Sequence, residues 1–224
     1  MLLKKGKLFE IISGSVTFIL ILAMGIIFKQ KFLAILPLFI SLLVMIMQSR
    51  VSSIGFLMGG LNSVLYAIVY VGFGLYASAA YAFFVSFPMQ LVTFINWRKR
   101  PYGKSTMLRK LSAKQRIFGA IGLIILWFAL TAAVNALGGS YGGLDSAVSL
   151  IGMVGTLLSM FAFIEYSYFS MGANILSIVL YINMLGSMPE QSTYLVSSAF
   201  GLICNARAFL IAHRLYKKQQ EEKQ

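Results

Sequence analysis

The chain has 224 residues, of which 59% are hydrophobic and 11% charged, and its mean hydropathy is +0.84. That much apolar surface cannot be hidden inside one aqueous domain, so lipid must solvate the chain. The formal net charge of +13 excludes an acidic class, and it does not argue for nucleic acid, because the basic residues sit in short stretches beside apolar runs, where they hold topology and meet anionic headgroups.

A bilayer core of about 30 Å requires roughly 17–25 apolar residues per spanning helix. The sequence predicts eight such spans, at residues 11–28, 32–47, 54–76, 77–96, 117–137, 145–163, 168–187 and 193–213. The first follows Lys4, Lys5 and Lys7 as a signal peptide would, but no A-x-A site precedes Lys29 and seven further spans would keep the chain in the membrane, so a retained helix is expected. The second holds Pro37, which predicts a kink or tilt. The third and fourth are nearly continuous and are divided near 75–78, because a single helix running through both would overshoot the membrane.

With eight spans, sixteen of the nineteen basic residues fall on one side: the N-terminus, Arg50, the loop 98–116 and the tail with Arg214, Lys217, Lys218 and Lys223. The other side holds Lys29 and Lys31, and Arg207 lies inside the last span. The positive-inside rule therefore predicts cytoplasmic termini. Cys204 is the one cysteine and His213 the one histidine, the latter read as interfacial, so no disulfide, metal centre or cofactor is expected. The sequence carries no phosphate loop, no H-E-x-x-H, no serine elbow and no carboxylate pair, and an enzyme is not expected.

An internal repeat organises the spans. Shifting the chain along itself until Gly60 lies on Gly172 also lays Asn62 on Asn174, each asparagine opening an apolar run, and one further step lays Tyr81 on Tyr194. Three spans, a linker span and three spans restore the same direction through the membrane, so the expected architecture is an all-α membrane protein with an accessory first helix and a 3+1+3 parallel-repeat core. The segments are 1–31, 32–97, 98–144, 145–213 and a tail 214–224. Transporters built from such repeats place their site near the midplane, between the repeats.

An asparagine in lipid must face protein or a water-filled path. Asn62 shares a helical face with Tyr66 and Tyr70, Asn174 with Ser177 and Tyr181, Gln90 with Trp97, and Ser198 with Asn205, while Trp127, Thr131 and Asn135 share a broad face of the linker span. The set reads as a neutral pocket of amides and rings, or as polar glue between helices. Arg207 is read either as functional or as snorkelling, and Glu165 as a helix cap or as the partner of a base. The glycine pairs Gly55/Gly59, Gly119/Gly122 and Gly152/Gly155 predict close helix approach.

The segments SRVSSIGFLMGGLNSVLYAIVYVGFGLYASAAY, with its exit NWRKR, and IEYSYFSMGANILSIVLYINMLG, followed by TYLVSSAFGLICNARAFL, resemble the PnuC family of vitamin-precursor transporters over about residues 42–218. Family members place a Glu before the penultimate helix, two tryptophans in W-x-x-W spacing and an asparagine four residues on. Glu165 and Asn174 fit; Ser167 and Ser170 occupy the tryptophan positions, with Tyr166, Tyr168 and Phe169 beside them. The resemblance implies a fold similar to that of SWEET sugar transporters, a homotrimer in a bacterial inner membrane, and facilitated diffusion of a nucleoside-like vitamin precursor. Nicotinamide riboside is the expected substrate, with thiamine, riboflavin or a deoxynucleoside as alternatives and a non-transport structural protein as the rival class. It also implies Asn174 as the leading ligand contact, then Asn205 and Gln90; Tyr181, Ser177, Ser198, Trp127, Asn62 and Tyr66 complete the candidate set.

Overall fold

The computed structural model describes residues 2–102 and 105–222, with side chains from residue 10 onward; the side chains of Lys4, Lys5 and Lys7, together with Lys104 and Lys223, lie outside the described residues. Eight long helices follow one another: α1 Leu2–Ile27, α2 Phe32–Ser49, α3 Ser53–Gly72, α4 Tyr76–Lys99, α5 Ala113–Ala136, α6 Gly142–Met160, α7 Tyr166–Met184 and α8 Ser192–Glu221. By length and composition seven of them can cross a membrane, and α7 is the exception. Its polar residues explain this: Ser167, Ser170, Asn174, Ser177 and Asn183 dilute an apolar stripe of Ile175, Val179 and Ile182, which is exposed on one face.

Local chemistry sets the breaks. The boundary between α3 and α4 falls at residues 73–75, just before the division expected near 75–78, at a turn through Gly74 with φ +68°, a conformation that costs glycine little. Inside α4, residues Tyr81–Ser86 form a π-helical segment just before Pro88. Proline has no N–H to donate and its ring crowds the carbonyl four residues back, so the preceding turn widens. A capping box between Ser112 and Gln115 starts α5.

Six helices close a ring. α2 packs on α3, α3 on α4, α4 on α6, α6 on α7, α7 on α8, and α8 returns to α2. α1 lies outside against α8 and α2, and α5 lies outside against α6. The accessory helix is held by charge as well: Glu10, 5% exposed, pairs with both Arg50 and Arg207. A carboxylate this buried is tolerated because two guanidinium groups satisfy it. Arg207 is thus the ionic partner of α1, and neither a lone intramembrane charge nor a snorkelling one.

Two apolar clusters cap the ring. One, on the side away from the basic loop, joins Ile35, Leu38, Leu75, Leu180, Met184 and Tyr194. The other, on the basic side, joins Val51, Phe56, Trp97, Leu108, Ile164 and Tyr166. The basic loop itself is folded over this second cluster, which the sequence reading did not foresee. A short hairpin of β1 Pro101–Tyr102 and β2 Ser105–Thr106 leads to Arg109, which exchanges backbone hydrogen bonds with Ala162 and Ile164. Gln219, 1% exposed, accepts from Leu108 N and donates to Thr106 O, which explains why α8 runs beyond the expected end at His213.

Candidate functional site

Between the two apolar clusters lies a cavity of about 200 Å³, and all six ring helices contribute to its wall. α2 supplies Gln48, α3 Phe56, α4 Tyr81 and Gln90, and α8 Asn205. α6 brings Gly152, Gly155 and Thr156, and α7 brings Tyr166, Ser170 and Asn174. Its lining holds no charged side chain.

The amides are arranged in two groups. Asn174 Nδ2 and Asn205 Nδ2 both donate to Ser170 O, at 3.1 and 3.2 Å, which leaves the two Oδ1 atoms available as acceptors. Opposite, Gln48 Nε2 donates to Gln90 Oε1 and to Gly55 O, each at 3.3 Å, and Gln90 Nε2 donates to Ser86 Oγ at 2.7 Å. Glycine makes room for both groups. A Cβ on Gly59 would strike the Gln90 side chain, and one on Gly201 would come 2.6 Å from Asn174 Oδ1.

Aromatic faces come from Phe56, Tyr81 and Tyr166. Tyr81 is fixed by a 2.9 Å hydrogen bond between its hydroxyl and Thr156 Oγ1, and its ring lies 3.1–3.2 Å from where a Cβ of Gly152 would be. Trp97 backs the other two, with ring centroids 4.6 Å from Phe56 and 6.1 Å from Tyr166, while its Nε1 donates to Ser159 O at 2.8 Å. The Tyr166 hydroxyl is buried without a partner. Of the aromatic residues flanking the two serines, only Tyr166 lines the cavity; Tyr168 is exposed and bonds His213 Nε2 at 2.8 Å, and Ser167 returns its hydroxyl to Ile164 O.

Asn174, Asn205 and Gln90 therefore meet in one cavity, although they lie on three helices. The other six candidates do not line it. Asn62 is 3% exposed and donates to Pro37 O and Ser41 Oγ, both at 2.9 Å, so it binds α3 to α2. Tyr66 bonds Ser41 at 2.8 Å and stacks on Tyr70, whose hydroxyl lies 3.5 Å from that of Tyr181. These tyrosines sit in or against the apolar cluster away from the basic side. Trp127 faces outward on α5 and donates to Gly143 O, and Ser177 and Ser198 stand outside the lining. Helical periodicity placed each of these on a polar face, but the face meets protein or the outer surface.

Sequence reasoning missed Gln48, Tyr81, Thr156 and Tyr166. One signal was present: Gly152 and Gly155 were read as packing only, and Gly155 does let α7 approach closely at Phe169 and Ser170, but the missing side chain of Gly152 admits the Tyr81 ring to the wall. Gly119 and Gly122 depart from expectation too, since nothing lies within 4 Å of a Cβ at either. Glu165 does not cap α7; it pairs with Arg116 at 2.6 Å and accepts from Leu111 N at 3.1 Å.

Comparison with known proteins bears on the family and the fold. Residues 31–207 match the profile of the family described as nicotinamide mononucleotide transporter. No curated protein matches the chain. Among solved structures, the chain is similar to that described as the crystal structure of the vitamin B3 transporter PnuC, with a TM-score of 0.79 at 19% identity, covering 94% of this chain and 92% of that one. The chain belongs to the nicotinamide mononucleotide transporter (PnuC) family, and it is a multi-span membrane transporter and not an enzyme.

Proposed function

We propose that this transporter carries nicotinamide riboside by facilitated diffusion, with Asn174, Asn205 and Gln90 holding the sugar and carboxamide and with Tyr81 and Tyr166 facing the ring. The observation that carries this reading is the uncharged, amide-lined cavity between two apolar clusters. Its volume of about 200 Å³ lies below the roughly 300–1,000 Å³ of drug-sized sites, in keeping with a small ligand. A pyridinium nucleoside is cationic, and tyrosine faces attract a cation without the cost of burying a carboxylate. Such rings would take the place of the tryptophans that Ser167 and Ser170 replace. Facilitated diffusion is favoured because no titratable acid or histidine lines the cavity to carry a coupled proton.

The reading includes rocking of one three-helix unit against the other. Supporting a parallel repeat, the left-handed residues recur in register: Lys29 (φ 49°) and Val51 (φ 54°) flank α2, and Tyr141 (φ 54°) and Ala162 (φ 59°) flank α6. The step from Lys29 to Tyr141 equals the step from Asn62 to Asn174, and the step from Val51 to Ala162 is shorter by a single position. We place the protein in a bacterial inner membrane with both termini cytoplasmic, as a homotrimer, on the charge pattern and the family resemblance.

Calorimetric titration of the purified protein with nicotinamide riboside, thiamine and riboflavin tests the substrate. Saturable binding of the riboside alone is expected. Binding of thiamine or riboflavin in its place would reassign the substrate, and binding of none of them to folded protein would remove it.

A further inference from the structure

On the basic side, α5 leaves a second cavity of about 550 Å³ between itself, α6 and α7. We propose that this groove binds an anionic phospholipid, with its phosphate at Lys110 and Arg116 and one acyl chain running along α5. The order of groups along the groove follows a lipid. Lys110 and Arg116 stand at the end beside the basic loop; one turn further in, Gly119 and Ala120 form a floor; beyond them, Leu123 and Val154 make an apolar channel. Nothing lies within 4 Å of a Cβ on Gly119, so the floor is open along the path a chain would take.

Charge favours an anion over a zwitterion. The carboxylate of Glu165 is engaged by Arg116, whose side chain is still 48% exposed, while Lys110 is exposed and has no ion-pair partner among the described residues. One uncompensated positive charge therefore faces the groove at headgroup depth, where basic pockets between helices recognise anionic lipids. A trimethylammonium group would be repelled there. A water-soluble anion would leave most of the groove, which is apolar, unfilled.

The site also shares a wall with the transport cavity. The first turns of α7 present Glu165, Tyr168 and Phe169 to the groove and Tyr166 and Ser170 to the cavity. Lipid in the groove would steady that wall.

The test uses the full chain, delipidated in detergent and supplied with phosphatidylglycerol or phosphatidylcholine, read by native mass spectrometry and thermal melting. One retained phosphatidylglycerol per chain is expected, with a rise in Tm of several degrees, and a much smaller response to phosphatidylcholine. Lys110→Gln should erase the difference between the two lipids, and Gly119→Leu, which projects into open space, should lower retention of both severalfold. Equal responses of the unmodified chain to both lipids, or unchanged retention in Gly119→Leu, would overturn the assignment. So would variants that dissociate an oligomer without losing lipid, which would make the groove a contact between copies.

Discussion

Asn62 and Asn174 head similar apolar runs in the two halves of the chain and end in different surroundings. Asn62, on α3, gives both amide protons to α2, and the close approach is tight: a Cβ on nearby Gly59 would lie 3.2 Å from Val44 Cγ1 of α2. Asn174, on α7, donates only to the carbonyl one turn back on its own helix, and Gly172 nearby has no neighbour closer than 3.6 Å to its added Cβ. The first amide is spent on structure, and the second faces a cavity. A buried amide in a membrane protein is thus informative only once its partners are known, because the lipid penalises an unsatisfied group whichever way it is relieved.

The contrast predicts separable effects. Asn174→Ala should weaken substrate binding about 10–100-fold, the loss expected when a buried polar contact worth roughly 1.5–3 kcal/mol is removed. Its melting temperature should barely change, because no other helix depends on that side chain. Asn62→Ala should do the reverse. It removes the two hydrogen bonds that tie α3 to Pro37 O and Ser41 Oγ of α2, leaving Ser41 with Tyr66 alone, and should cost about 1–3 kcal/mol of stability, while the protein that stays folded binds substrate within about twofold of normal. Thermal melting and calorimetry on the two variants side by side would decide; a binding loss in Asn62→Ala as deep as in Asn174→Ala would break the distinction.

Gly201→Ala sharpens it from a third direction. The new methyl would press on Asn174 Oδ1 and on Met45, 3.3 Å away, so binding should weaken severalfold while the helix gains up to about 1 kcal/mol of propensity. An unchanged affinity would mean that the amide can move without consequence. The smallest effect is expected for Tyr166→Phe. That hydroxyl is buried without a partner at the cavity wall, so its removal should leave stability unchanged or raise it by less than about 1 kcal/mol. Melting would check the sign, and a marked fall would show that the hydroxyl is hydrogen-bonded.

Much of the fold is legible in the order of residues alone. Apolar run lengths and the basic loop divide the chain into eight helices, and the spacing of Glu165 and Asn174 marks the family. Periodicity also put Asn174, Asn205 and Gln90 on polar faces, and these are the three that meet. The same rule promoted Tyr66, Tyr181, Asn62 and Trp127, because a helical period says which residues share a face but not which neighbour that face meets.

Tertiary structure alone decided the partners. Glu10 on α1 reaches Arg50 at the end of α2 and Arg207 on α8, and Gln48 on α2 reaches Gln90 on α4. The basic loop, which read as a topology signal, is tied to α6–α7 and to the end of α8 by backbone and Gln219 hydrogen bonds. Composition determined that this chain lives in lipid, since burying or solvating apolar surface is a sum over residues. Which amides remain open to a ligand is not a sum; it depends on the closing of six helices into a ring, and that closure is carried by contacts between residues far apart in the chain.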